Sequence, residues 1–191
     1  SAFDIQMPEL ITAGSPITVT VMAVDEGGKT VPTYLGAIKF TSTDSKAILP
    51  SDYTFTVDDA GVHTFVEGAI FKTSSGQTLT VSDTVIPTLS GKKNTIVSAG
   101  ALASFELFLP AIATTGEFIT VGVVAKDAFG NIADNFQEAV YFSSTDTQAE
   151  LPVYYVFGSN PDKPDLGVHT FYVKLNSPGV QTVCINEKKH N

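Results

Sequence analysis

Two histidines hold the same place in one short motif that occurs twice, Gly61-Val-His-Thr-Phe65 and Gly167-Val-His-Thr-Phe171. An imidazole near neutral pH can serve as general base, proton shuttle or metal ligand. Acids stand just ahead of each ring: Asp58 and Asp59 before His63, Asp162 and Asp165 before His169. Catalysis or tetrahedral metal binding needs several such groups to converge within one domain, and one histidine per motif does not supply them. His63 and His169 also share the strand parity that carries Phe65, Phe171 and Val173. The expectation is therefore a neutral imidazole at the edge of a core, hydrogen-bonded to backbone at a corner. The aspartates are read as turn formers, and no cofactor is expected; Ca²⁺ at the Asp-rich loops is the alternative, without the spacing of an EF-hand.

No Gly-x-Ser-x-Gly elbow, His-Glu-x-x-His, phosphate loop or dinucleotide fingerprint occurs, so no catalytic residues are assigned and an enzyme is not expected. Tyr34, Phe136, Tyr154 and Tyr172 are candidate surface aromatics for stacking on sugar, although Trp is absent. A net charge of −9 with eleven basic residues, all of them lysine, supplies neither a cationic stripe nor the guanidinium fork that reads phosphates and guanine edges. Nucleic acid is excluded as a partner on that ground. No apolar run approaches the roughly 20 residues that span a bilayer as a helix, so membrane insertion is not expected.

The elements that carry these residues are duplicated. Phe40-Thr-Ser-Thr-Asp44 returns as Phe142-Ser-Ser-Thr-Asp146, an offset of 102 (142 − 40) that also relates Phe3 to Phe105, Gly14 to Gly116, Asp25 to Asp127 and Pro50 to Pro152. The histidine motif lies at an offset of 106 (167 − 61), so the second copy carries four extra residues ahead of it. Duplication of this period predicts two domains, 1–100 and 101–191, joined by the small residues Ser98 to Ala103.

Short runs of alternating apolar and polar residues, punctuated by Gly, Pro, Asp and Ser, predict an all-β chain. In the first copy, one face each is formed by Phe3, Ile5 and Met7; by Ile17, Val19, Val21 and Ala23; by Ile38 and Phe40; by Tyr53 and Phe55; by His63, Phe65, Ala69 and Phe71; by Leu79 and Val81; and by Thr95 and Val97. The fifth of these strands is expected to bulge at Glu67-Gly68, where the second copy keeps unbroken parity through His169, Phe171, Val173 and Leu175. Seven strands in about 95 residues are the pattern of an immunoglobulin-like sandwich. The chain thus reads as two tandem sandwiches, the second lacking its last strand within this chain, because the counterpart of Asn94 to Ser98 maps near positions 198 to 202 by the offset of 104 between Gln77 and Gln181.

That reading marks Gln181, Val183, Cys184 and Ile185 as a candidate partner edge, open either because more chain supplies the strand or because a neighbouring molecule donates one. Phe3 to Met7 is a candidate donor. Cys184 is the only cysteine, so no internal disulfide forms, and its thiol is expected to face outward or toward the missing strand.

The ordered set Phe-x-Ser-x-Asp, Ala-x-Leu-Pro-x-x-Tyr-x-Phe, Asp-x-Gly-Val-His-Thr-Phe and Gln-Thr resembles the Ig-like repeats of large bacterial surface and secreted proteins, in the style of the invasin and intimin modules. The resemblance implies extracellular or cell-surface display and a non-catalytic structural or scaffold role. The alternatives are a self-assembling filament or surface-layer subunit completed by strand donation, and an adhesin or carbohydrate-binding module. It implies as partners neighbouring repeats or copies of the chain itself, a glycan, or a host or cell-surface protein. Some surface Ig-like modules form an internal Lys–Asn crosslink; Lys39 and Asn94 are the candidates here, and Tyr141 stands where the second copy would need the lysine.

Overall fold

The structure, a computed structural model, describes residues 2–160, 162 and 164–187. Among them every regular element is a strand, and the chain divides into two compact units, Ser1–Ser98 and Ala99–Asn191.

In the first unit, β1 (Ala2–Gln6), β3 (Pro16–Val24) and β6 (Val62–Ile70) form one antiparallel sheet in the order β1-β3-β6. The second sheet takes β2 (Leu10–Thr12), β4 (Ala37–Ser42), β5 (Tyr53–Thr54), β7 (Ser75–Asp83) and β8 (Ser90–Ser98) in the order β2-β8-β7-β4-β5. Alternate residues of each sheet turn inward. Val19, Val21, Ile38, Leu79 and Val81 are fully buried, as are the larger rings of Phe55 and Phe71. This is the immunoglobulin-like arrangement that the alternation predicts.

The first predicted strand divides in two. The chain leaves β1 at Met7-Pro8, crosses to the other sheet and runs parallel to β8 as β2, with Leu10 opposite Ile96 and Thr12 opposite Ser98. Proline has no N–H for a ladder; its carbonyl instead accepts the Thr95 hydroxyl at 3.0 Å, and Glu9 O accepts Ile96 N at 2.8 Å. The unit therefore has eight strands where the pattern predicts seven. The predicted bulge is present: Ile17 opposes Ala69 but Val19 opposes Phe65, Glu67 has φ 49°, and its N–H reaches Thr18 Oγ1 at 3.2 Å. The corresponding ladder of the second unit runs without a shift.

In the second unit, β9 (Leu102–Phe108), β10 (Phe118–Asp127) and β13 (Val168–Lys174) pair in the order β13-β10-β9. Facing them are β11 (Ala139–Ser144), β12 (Tyr155–Val156) and β14 (Val183–Glu187), in the order β12-β11-β14. Val121, Val123, Ala125, Val140, Phe157 and Val173 are fully buried between the two. Among the described residues no strand takes the place of β8 or β2.

Candidate functional site

The polar residues that recur in both units are spent on fastening the chain. Asp59 lies in the middle of the turn, 57–61, that leads into β6. Its carboxylate accepts the Thr56 N–H at 2.6 Å, the Thr56 hydroxyl at 2.8 Å, the Tyr53 hydroxyl at 2.9 Å and His63 Nδ1 at 2.7 Å. Burial pushes this carboxyl up, but the hydrogen bonds from Thr56, His63 and Tyr53 outweigh it and hold the group well below the usual carboxylate range. An ionised carboxylate only accepts, so Nδ1 carries the proton. Tyr53 stacks on the imidazole at 3.8 Å, and Phe55 and Phe65 meet it edge-on.

The second unit repeats this with different chain around it. Asp165 accepts Tyr155 OH at 2.8 Å, Gly158 N at 3.0 Å and His169 Nδ1 at 2.6 Å, with Tyr155 over the ring at 4.1 Å. Burial and the adjacent Asp165 push the Tyr155 phenol up to about 12. The histidines thus bond a carboxylate rather than backbone, which corrects the expected partner: the acid four residues earlier is itself anchored and aimed at the ring. The spacing held the clue, since Asp–His at i, i+4 persists although the insertion separates Tyr155 from Asp165.

A second clamp joins strand ends across each unit. Asp44 accepts Lys46 N at 2.9 Å, Lys72 N at 2.6 Å, Thr73 N at 2.9 Å and Thr73 Oγ1 at 2.7 Å. Asp146 accepts Gln148 N at 2.9 Å, Asn176 N at 2.6 Å, Ser177 N at 3.0 Å and Ser177 Oγ at 2.7 Å. Burial opposes ionisation of Asp146, and the four hydrogen bonds more than offset it, leaving the carboxyl at about 2. Asp25 and Asp127 cap their own turns, and Asp127 also holds Gly100 N at 2.9 Å. Asp58 stands exposed in the turn ahead of Asp59, and Asp162 donates its own N–H to Asn160 Oδ1 at 3.0 Å. Among the described residues no three His, Cys, Asp or Glu side chains gather as metal ligands.

One further expectation, the surface aromatics, is corrected in part, and a crosslink between Lys39 and Asn94 does not form. Phe136 is only 7% exposed and Tyr34 is half-buried, its hydroxyl donating to Asp83 at 2.6 Å, so neither is a surface platform; Tyr154 and Tyr172 are exposed, at 60% and 65%. Lys39 and Asn94 are separated by β7, where they oppose Ser82 and Thr78, and Asn94 accepts the Thr78 hydroxyl at 2.9 Å, so no crosslink joins them.

The candidate partner edge lies on β14. Val183 and Ile185 are half-buried, Cys184 is exposed, and Gln181 accepts the Thr145 hydroxyl at 2.9 Å just before the strand begins. β14 pairs with β11 from Val183 opposite Ser144 to Glu187 opposite Val140. The suggested donor, Phe3 to Met7, is not free: β1 pairs with β3, and Phe3 and Ile5 are buried.

No protein family and no curated protein matches the chain. Solved structures similar to it include the Escherichia coli adhesin FdeC, at 19% identity and a TM-score of 0.49 over 99% of this chain and 60% of that one. Invasin, a bacterial integrin-binding protein, aligns at 17% identity and 0.43 over 98% of this chain and 36% of its own. A glycosyl hydrolase family 2 member from Bacteroides cellulosilyticus aligns at 12% and 0.40 over 92% and 23%. The chain spans 60% or less of the length of each. At these identities and scores none of the three carries a function over to it.

Proposed function

We propose that this chain is a non-catalytic structural segment of a bacterial extracellular or cell-surface protein, its two units serving as rigid spacers. The observation that supports the reading is the double occurrence of the clamps at Asp44 and Asp146 and at Asp59 and Asp165. These four carboxylates are occupied by backbone N–H groups and hydroxyls of their own unit. Such clamps tie segments distant in sequence, Asp44 to Thr73 and Asp146 to Ser177. Single-molecule stretching of the chain between handles tests this. Two separate cooperative unfolding events are expected, with Asp44→Ala lowering the force of one and Asp146→Ala that of the other. Extension without distinct events overturns the spacer reading.

A second reading, glycan or host-protein adhesion, is favoured by one feature. Tyr154 is exposed and stacks on Tyr141 at 6.3 Å, and Tyr172 is exposed on β13 of the same unit. Glycan-array binding that disappears with Tyr154→Ser and Tyr172→Ser supports it; an array without signal counts against it.

A further inference from the structure

The outer face of the larger sheet of the first unit carries an open cleft of about 730 Å³, to whose lining Glu9, Gly76, Thr78, Lys92, Asn94 and Ile96 contribute. Period 2 builds it. Gln77 and Leu79 of β7 and Thr95 and Val97 of β8 turn into the core, so the residues between them stand outward in cross-strand rows: Gly76 opposite Ile96, Thr78 opposite Asn94, Thr80 opposite Lys92. Leu10 of β2 extends the first row beside Ile96, and both are exposed, at 68% and 61%. Gly76 is the member of this face that the fold does not require. A glycine inside a strand weakens it and commonly marks a bulge or a close approach by another backbone or a ligand. The β7–β8 ladder runs from Ser75 to Ser82 without a shift, and the positive φ at the start of β7, 143°, belongs to Ser75. A Cβ on Gly76 would meet nothing within 4 Å, whereas one on Gly91 would strike the carbonyl of Phe3 and one on Gly68 the bulged Phe65. The glycine leaves the cleft its floor.

The groups around that floor are donors. Asn94 Oδ1 accepts the Thr78 hydroxyl at 2.9 Å, which leaves both Nδ2 hydrogens for a ligand. Glu9 is matched by Lys93 at 3.6 Å, while Lys92 pairs with no carboxylate among the described residues. The cleft is thus locally positive on a chain of net charge −9. We propose that it binds the carboxylate-bearing sugar units of an acidic polysaccharide. Lys92 takes the carboxylate, the Asn94 amide and the Thr78 oxygen take ring hydroxyls, and Ile96 packs on the C–H face of a ring that Gly76 lets down onto the sheet. An acidic peptide fits less well. In the order β2-β8-β7-β4-β5 both strands of the floor are interior, so their backbone groups are spent in ladders and offer no edge to pair with. A saccharide brings its own donors and acceptors and needs no edge. The site goes beyond the spacer role, and it involves neither Tyr154 nor Tyr172, which belong to the second unit.

Titration of the whole chain with oligomers of galacturonate, mannuronate and glucuronate, followed by amide chemical shifts, tests this. One or more of them is expected to move the amides of 76–78 and 92–96, and its methyl ester to bind roughly tenfold or more weakly, because the charge-assisted hydrogen bond to Lys92 is lost. Lys92→Gln and Asn94→Ala weaken the acid form in the same direction. Gly76→Val fills the floor and abolishes binding, while the urea midpoint of the first unit holds or rises because valine suits a strand. Lys29→Gln, the same charge change in an exposed loop, leaves the affinity unaltered. The double change Tyr154→Ser with Tyr172→Ser also leaves it unaltered, so failure here and failure of the adhesion reading are told apart. No binding of any of these oligomers, equal binding of an oligoglutamate of the same charge, undiminished affinity in Gly76→Val or Lys92→Gln, or an equal loss in Lys29→Gln each overturn the proposal.

Discussion

Asp59 lies 2.7 Å from Nδ1 of His63, and it is the carboxylate, not the imidazole, that organises this corner. The acid gathers two hydroxyls, a backbone N–H and a ring N–H, and so ties β5, the following turn and β6 together. Asp59→Ala strands the Thr56 N–H and the Tyr53 hydroxyl at once, at a cost of about 2–3 kcal/mol. Asp59→Asn retains an acceptor and costs less. Urea unfolding of the two variants beside the parent chain checks both the sign and the order.

Acid should undo the clamps in a defined window. A carboxyl whose folded pKa is depressed contributes stability that is fully present above its unfolded value, about 3.9 for Asp, and lost as pH falls through the folded value. Asp44, Asp59, Asp146 and Asp165 all lie on the depressed side, Asp146 at about 2. The unfolding midpoint is therefore expected to fall between about pH 4 and pH 2. With Asp146→Asn the second unit starts lower and its slope in that window is shallower, since one proton fewer is taken up on unfolding. Urea midpoints at stepped pH measure the slope, and equal slopes in the two proteins contradict the assignment.

Alkali acts through the phenols with the opposite sign. Burial first, then the hydrogen bond and charge of Asp165, favour neutral Tyr155 and raise it to about 12. That contribution is present below the unfolded value of about 10 and lost as pH rises through about 12. The ultraviolet titration of the folded chain should show late phenolate ionisation, from which Tyr155→Phe takes amplitude while the step near pH 10 is unchanged. Amplitude lost near pH 10 instead of from the late step refutes it.

Glycines at two turns should respond differently to alanine although both have positive φ. Gly28, at φ 78°, has open space where a Cβ would go, so Gly28→Ala costs only the left-handed strain of about 1 kcal/mol. Gly61, at φ 81°, backs onto the carbonyl of Val31, so Gly61→Ala adds a steric clash to the same strain and costs at least about 2 kcal/mol. Thermal unfolding of the first unit in each variant gives the comparison.

What was legible in the sequence followed period 2. The inward faces of β3, β4 and β7, the bulge at Glu67-Gly68 and the outward Cys184 are all visible as alternation, because a half-buried strand must sort its side chains by face. The break between β1 and β2 was not, since Phe3, Ile5 and Met7 alternate smoothly toward Pro8 and only the parallel ladder to β8, 86 residues further on (96 − 10), decides where the strand ends. Phe136 looked like a surface aromatic because its neighbours are polar; its burial comes from packing against Phe105 and Phe157, contacts between segments that local pattern does not report. The Asp–His clamps were half legible, with residues and spacing plain but the donor set hidden in the fold of the preceding turn.

Matched truncations on β7 and β14 should expose the unequal closure of the two units. Leu79 and Val81 are wholly buried under β8, so Leu79→Ala removes a packed side chain and leaves a cavity, at about 3 kcal/mol. Val183 occupies the equivalent place on β14 but is half-buried at an open cleft that it shares with Ala111, Ala113 and Val180, so Val183→Ala gives up less apolar contact and leaves a space that water already reaches, at about 1 kcal/mol or less. Part of that gap is the smaller side chain, and measuring Leu79→Val beside Leu79→Ala separates the two causes. The difference between those variants is the cost of trimming valine to alanine under β8, and it still exceeds the cost of Val183→Ala if closure by β8 is the cause. Urea unfolding of the three variants beside the parent chain measures these costs, and a cost of Val183→Ala equal to that difference means that closure by β8 is not the cause.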